Sequence, residues 1–197
     1  MKKIKLGDIA ILISKGTTPT SVGLTFSTTG LPFLRGEDIQ GNAVNLSKVR
    51  MFISESSSSK LGRSELEKGD VLITIAGTIG RIGYISEDVK ANCNQAVAFI
   101  RLDLDKIDPL WLCFTLQSEK YQKIFLDFIV GGAIPNINLQ QISSIEIPDI
   151  PIELQRAIAQ NITAQLNEIE RIKTAINTSL NDLAILNERV FEQSHNH

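Results

Sequence analysis

The stretch IEIPDIPIELQRAIAQNI, residues 145–162, divides the chain. Pro148 and Pro151 stand three apart, and from Ile152 to His197 neither proline nor glycine recurs. A chain that punctuates itself and then avoids every helix breaker reads as one long helix. Its apolar residues agree. Ile158, Ile162, Leu166, Ile169, Ile172, Ile176, Leu180, Leu183, Leu186 and Val190 advance in steps of three and four, with a mean of about 3.6 residues, close to a coiled-coil seam. Pro151 suits a first helical turn, and Asp149 or Glu153 suits the positive end of the dipole. The spacing therefore predicts a helix over 151–193, about 60 Å long. It follows a globular unit at 1–150 and precedes a disordered tail at 194–197. Left in water, each seam side chain forfeits about 1.5–3 kcal/mol of burial, and ten of them exceed a typical domain's stability. The stripe needs a cover. A partner helix fits its narrowness, and folding back on its own unit is the alternative.

Ahead of the prolines the chain reads as a mixed α+β unit. With 197 residues and 43% hydrophobic content it can fill one core and carry an appended element. KIKLGDIAIL has strand-or-helix spacing, closed by KGTTPT. LPFLRGEDI reads as a short strand running into a polar turn. In ELEKGDVLITIAGTIGRIGYI a Lys68-Gly69-Asp70 turn precedes the β-branched VLITI, and Gly77, Gly80 and Gly83 break or bend the next strand. NQAVAFIRL is a strand, PLWLCFTLQSEKYQKIFLDFI one helix opened by Pro109, GGAIPNINLQ a loop, and SSIEIP a last short strand.

Composition narrows the classes. No apolar run approaches the ~18 residues of a membrane span. Lysines ahead of apolar residues at the start faintly suggest a signal peptide, but Asp8 interrupts the run and no clear cleavage pattern comes after it. Cys93 and Cys113 sit in apolar sequence and read as small buried hydrophobes of a reducing cytoplasm. A net charge of −2 argues against a nucleic-acid partner. Its distribution softens that, because residues 1–63 carry nine Lys/Arg against four Asp/Glu, and screening makes such fields local beyond about 10 Å.

Catalytic patterns do not emerge. The two histidines, His195 and His197, fall in the tail, so no Ser/His/Asp or Cys/His set can be built in the globular unit. HExxH, paired-cysteine, P-loop and Rossmann spacings are missing, and no cofactor or metal is expected. GTIGRIG, residues 77–83, holds two overlapping G-x-x-G patterns. It reads either as a glycine-bent hairpin or as a turn whose backbone, Thr78 and Arg81 approach a phosphate chain. An RNA clamp on the same glycines is a third reading. Asn136 and Asn138 are turn formers or adenine readers. Aromatic residues are too few for a base-stacking platform.

In order, KLGDIAILISKGTTPT, LPFLRGEDI, LEKGDVLITIAGTIGRIGYI, NQAVAFIRL, GGAIPNINLQQISSIEIP and PDIPIELQRAI resemble the specificity subunit of type I restriction-modification systems over nearly the whole chain. The resemblance implies a non-catalytic target-recognition domain that reads one half of a split duplex-DNA site. It also implies a spacer helix, around which separate methyltransferase subunits bind and which a restriction subunit can join. In the family two such units alternate in one chain and their helices pack antiparallel. The proline motif departs from the family at Ile150, usually Pro, and at Leu154, usually Glu, while Gln155 and Ile158 keep their spacing. One domain and one helix make this a half-size form or a piece of a longer subunit. The half-size reading implies a homodimer through the helix, an antiparallel coiled coil, reading an interrupted palindrome.

Base-contacting residues differ among members of such a family, so candidates rest on charge and loop position alone. Lys15, Arg35, Lys60, Arg63 and Arg81 are expected on phosphates, and Thr17, Thr78, Asn136 and Asn138 on base edges. The competing function is a coiled-coil interaction adaptor that binds no nucleic acid, which the acidic total charge favours.

Overall fold

The computed structural model describes residues 2–129 and 135–195, those from 187 onward as helix backbone alone. The chain divides into two units, Met1–Arg156 and Ala157–His197. The first holds two four-stranded sheets and a small ribbon. KIKLGDIAIL is strand, helix and strand in turn: β1 (Lys3–Lys5), α1 (Leu6–Ile9) and β2 (Ala10–Lys15). Then come β3 (Leu31–Leu34), β4 (Phe52–Ile53), α2 (Glu55–Lys60), β5 (Glu65–Leu66), β6 (Val71–Thr74), β7 (Ile82–Tyr84), β8 (Ala91–Cys93) and β9 (Val97–Leu102). Helices α3 (Pro109–Gln117), α4 (Glu119–Ile129) and α5 (Leu139–Ser144) precede β10 (Glu146–Pro148) and α6 (Ile152–His195).

One sheet runs β2-β9-β6-β7, all antiparallel, and the other runs β4-β3-β8-β5, with β3 and β8 parallel. Leu72, Val97 and Phe99 of the first meet Leu34, Leu66, Ala91 and Cys93 of the second in one buried cluster. The alternate residues Val71, Ile73, Ala98 and Ile100 are equally buried, and α3 packs along β6 and β7. Strands covered on both faces carry unbroken apolar runs, which is why VLIT and VAFI lack alternation. On the second sheet Phe33 and Ile53 form a smaller cluster, with Phe26 edge-on to Phe33 at 5.2 Å.

A buried ion pair fixes the turn before β6. Arg101 Nε donates to Asp70 Oδ1 at 3.0 Å and its Nη2 to Oδ2 at 2.9 Å. The backbone N–H of Glu67 adds a third bond to the same carboxylate. The third sheet pairs the chain's start with its last strand, Lys3 opposite Pro148 and Lys5 opposite Glu146. Leu6 N–H donates to Ile145 C=O at 2.9 Å, and Asp149 N–H to Lys2 C=O at 3.0 Å. The beginning of the sequence is thus stitched to the segment that enters α6.

Three expectations need correction. The single helix over 109–129 is two. Ser118 is extended (ψ 151°), ends α3 and opens α4, its carbonyl accepting from the N–H groups of Tyr121 and Gln122. Gln122 Nε2 bonds the Leu116 carbonyl that the break leaves without a helical partner. Apolar periodicity continues across the break, so spacing alone hides it. SSIEIP is strand only at Glu146–Pro148, its serines finishing α5. Of GGAIPNINLQ, residues 131–134 lie outside the described residues. Leu139 and Gln140 are helical, because Asn138 caps α5: its Oδ1 accepts from Gln141 N–H at 2.8 Å while Gln141 Oε1 accepts from Asn138 N–H at 2.9 Å.

Helix α6 is continuous over 44 residues, about 66 Å. Pro151 stands at its N-cap rather than inside the first turn, its carbonyl accepting from Leu154 and Gln155. Gln155 is buried to 1% exposure and uses its whole amide, accepting from Asp108 N–H at 3.0 Å and donating to Lys106 and Ile150 carbonyls at 3.0 and 2.9 Å. Asp149 pairs with Lys2 at 2.6 Å. In the second unit Ile158 and Ile162 are half-buried, and from Leu166 through Leu186 the stripe is exposed. The side chains of Val190 and His195 and the tail from 196 lie outside what is described. Among the described residues no helix is long and apolar enough to cross a membrane.

Candidate nucleic-acid interface

Strand direction brings six strand ends of the first unit to one edge. β2 ends where β9 begins, Lys15 opposite Ala98. β6 ends there too, Thr74 opposite Val97, and β7 starts beside it, Ile82 opposite Ile73. In the second sheet the parallel β3 and β8 finish together, Leu34 beside Cys93, and residues 94–96 carry the chain from one sheet to the other. The loops leaving this edge are bonded to one another. Thr17 N–H donates to Cys93 C=O at 3.0 Å, Asn94 N–H to Leu34 C=O at 2.9 Å, Ile75 N–H to Ala96 C=O at 2.8 Å, and Ile137 N–H to Ile75 C=O at 2.9 Å. Ala76 and Asn136 add an isolated bridge. Gly16 has to be glycine in this seam: a Cβ would stand 2.1 Å from the Cys93 carbonyl oxygen.

Most of the candidate residues meet on this rim. Thr17, Arg35, Thr78, Arg81, Asn136 and Asn138 come from well-separated stretches and lie on its loops, with Lys15 at the strand end. Lys60 and Arg63 sit on α2 and the turn after it. That segment is tied to β8 through Ser58 and Asn92 (2.7 Å) and lies beside β2, where Ser14 Oγ reaches the Arg63 carbonyl (3.5 Å). Lys15, Lys60, Arg63, Thr78, Asn136 and Asn138 are exposed, and Thr17 and Arg81 half-exposed.

Their chemistry is not equal. Arg35 is turned onto its own loop: its guanidinium pairs with Glu37 and Asp38, and its N–H donates to Asp38 Oδ2 at 2.8 Å. Two adjacent anions cancel its charge, giving it a turn-holding role. Asn138 has its amide oxygen in the α5 cap. Arg81 instead makes one contact, Nη1 to the Gly36 carbonyl at 3.3 Å, leaving most of its five donors unused. It lines a cleft of about 470 Å³ with Gln40, Gly80, Gln117 and Gln122 among its walls.

GTIGRIG forms the hairpin loop between β6 and β7. Gly77 and Gly80 hold φ of 72° and 88°, a region that favours glycine. The buried Thr74 organises the loop: its Oγ1 donates to Thr78 C=O and accepts from Arg81 N–H at 2.9 Å. Gln122 Nε2 clamps the Gly80 carbonyl at 3.0 Å. Sequence reasoning singles out neither Thr74 nor Gln122, because one looks like any β-branched strand residue and the other like a helix surface position. Gln40 and Gln117 escape it likewise.

The two cysteines are buried, as their apolar neighbourhoods suggest. Burial pushes both thiols well above the usual cysteine range. Among the described residues no cluster of three or more His, Cys, Asp or Glu could hold a metal ion.

Comparison with known proteins places this architecture. The chain is 28% identical over 195 residues to the type I restriction enzyme EcoBI specificity subunit of Escherichia coli, covering 91% of this chain and 41% of that one. It is 26% identical over 162 residues to the putative type I restriction enzyme MjaX specificity subunit of Methanocaldococcus jannaschii, covering 81% and 35%. The chain therefore spans about two fifths of the length of these relatives. The HsdS subunit from Thermoanaerobacter tengcongensis shares the fold, with a TM-score of 0.66 at 22% identity over 88% of this chain and 39% of that one. So does a chain from a structure of the type I R-M system that concerns its complex assembly, at 0.70 and 22%, over 92% and 43%. The family model for the type I restriction modification DNA specificity domain matches residues 1–182. The chain belongs to that family.

Proposed function

We propose that this chain is a sequence-reading module for duplex DNA in a type I restriction-modification system. It confers specificity on a separate methyltransferase subunit, which a restriction subunit can join, and carries no catalysis of its own. Two copies pair through α6 as an antiparallel coiled coil in the cytoplasm and read an interrupted palindrome. The observation that carries the reading is the convergence of Thr17, Thr78, Arg81 and Asn136 on one rim, from four distant stretches of sequence. Lys15, Lys60, Arg63 and Arg81 contact phosphates. Thr17, Thr78 and Asn136 face base edges, and Arg35 and Asn138 hold the loops that present them. The glycine turn at 77–80 keeps the backbone low enough for close approach. A net charge of −2 is compatible with this, since the cations act locally.

Retention of the isolated chain on duplex DNA tests the reading. Four phosphate contacts give a slope of log affinity against log salt of about −3 to −4. Replacing Lys15, Lys60, Arg63 and Arg81 together by alanine abolishes retention, and replacing Arg35 and Arg81 together weakens it, whereas absence of retention in the unaltered chain favours the interaction adaptor. Preference for RNA points instead to a clamp on GTIGRIG. Methyl transfer from S-adenosylmethionine by this chain alone overturns the non-catalytic assignment.

A further inference from the structure

The cleft that holds Arg81 is walled by three glutamines from distant stretches of sequence. Gln40 stands in the loop after β3, Gln117 ends α3, and Gln122 lies in the first turn of α4. Each has its amide nitrogen on the main chain. Gln40 Nε2 donates to the Glu37 carbonyl at 2.9 Å, and Gln117 Nε2 to the Ile82 carbonyl at 3.1 Å. Gln122 Nε2 donates to the Gly80 and Leu116 carbonyls, both at 3.0 Å. A carbonyl can only accept, so these bonds decide which end of each amide is nitrogen. Among the described residues, none of the three Oε1 atoms accepts a hydrogen bond. Gln122 Oε1 stands over Gly80, 2.8 Å from where a Cβ would be, so the glycine leaves that oxygen uncovered.

Three acceptors on one cleft call for a ligand with hydrogens to give. Gln122 has both of its N–H groups engaged, so toward a ligand it can only accept. Gln40 and Gln117 keep one N–H each beside their oxygens. Closing a ligand over the cleft takes water from all three oxygens, and an acceptor left without a donor there costs its full desolvation penalty. Phosphate oxygens only accept and do not answer this need. In the major groove, guanine shows N7 and O6 and thymine shows O4, all acceptors. Adenine and cytosine alone present an exocyclic amino group there, at N6 and N4.

We infer that this cleft reads the exocyclic amino group of an adenine or cytosine, with Gln40, Gln117 and Gln122 as specificity-determining residues. The inference rests on the duplex reading proposed above and supplies the base chemistry that reading leaves open. One wall is the β6–β7 loop itself, through Gly80 and Arg81, so a duplex seated on the rim lies against the cleft. Arg81 serves the phosphate chain beside it, while the neutral amides read the base. The two jobs separate cleanly, because removing a cation changes the salt dependence of binding and removing a neutral acceptor does not. The main-chain bonds give the amides their discrimination: a free glutamine can turn its nitrogen to a keto base, whereas Gln122, held at two carbonyls, cannot.

Selection of duplexes from a random-sequence pool by the full chain tests this. The unaltered chain is expected to enrich a motif with one position held to adenine or cytosine. The double variant Q40M/Q117M is expected to relax that position alone, by about five- to a hundredfold. Affinity for duplexes lacking the motif, and its salt slope, stay unchanged. Gln122 is left in place because it supports the break at Ser118. Base analogues probe the same contact on the unaltered chain, so the result does not depend on how a variant folds. Purine in place of adenine, or 2-pyrimidinone in place of cytosine, deletes only the amino group, and the analogue that loses the same factor names the base. A motif that keeps every preference in the double variant overturns the inference. So does a relaxed position held to guanine or thymine, or an analogue series that binds as well as the parent bases. A pool from which the unaltered chain enriches nothing defeats the duplex reading and this inference with it, whereas an enriched motif with no glutamine-dependent amino position defeats only the role of the cleft.

Discussion

The two units of this chain handle their side chains in opposite ways. In Met1–Arg156 apolar strands are covered on both faces, and buried polar groups such as Asp70, Asn92 and Gln155 are hydrogen-bonded within the unit. In Ala157–His197 a regular helix shows, among the described residues, eight large apolar side chains to solvent along about 30 Å. The first region buries its two sheets against each other, whereas the second leaves its apolar stripe uncovered. A domain with cations and polar loop residues gathered at one rim, continued by a helix with an exposed apolar stripe, offers two separate surfaces.

That contrast can be broken experimentally. The largest effect is expected at the seam. Replacing Ile169 and Ile176 together by glutamate removes four apolar side chains per dimer, each contributing about 1.5–3 kcal/mol. Light scattering should report halved mass while the melting of the first unit stays in place. A coupled loss of both would show the units to be less independent than their burial suggests.

Next in size is the buried pair in the first unit. Arg101→Ala leaves the Asp70 carboxylate, 1% exposed, without its cation, at a cost of about 3–5 kcal/mol. Urea denaturation should move accordingly, and the oligomer should persist wherever the protein stays folded. Gln155→Ala strands the Asp108 N–H and two carbonyls. The expected loss is about 2–4 kcal/mol, with increased hydrogen exchange over the first turns of α6. The smallest effect separates the two arginines of the rim. Arg81→Ala should reduce the salt slope of DNA binding by about 1, while Arg35→Ala, already neutralised by Glu37 and Asp38, should change it less.

Much of this could be read in advance where the physics is local. The long helix needs only the absence of Pro and Gly and a repeat near 3.5, both properties of neighbours a few residues apart. The β6–β7 hairpin and its glycines were visible for the same reason. What stayed hidden depends on contacts between distant residues. The parallel union of β3 with β8, the break at Ser118 supported by Gln122, and the use of Asn138 as a cap for α5 have partners that periodicity does not name. Arg35 is instructive, because its cancelling acids lie only two and three residues ahead and the local sequence already held the signal.

The candidate site divides along the same line. Residue chemistry picked out Thr17, Thr78, Arg81 and Asn136 one by one, but nothing in their spacing says that they share an edge. That is decided when β2, β3, β6 and β8 finish on the same side of two packed sheets, through backbone hydrogen bonds between loops far apart in sequence. The sequence by itself determined a long amphipathic rod after a glycine- and proline-punctuated α+β unit, because helix propensity and side-chain period act over a single turn. Only the tertiary structure decided which of the exposed polar residues stand together and which are spent on holding a loop, because that choice depends on strand pairing across the whole domain.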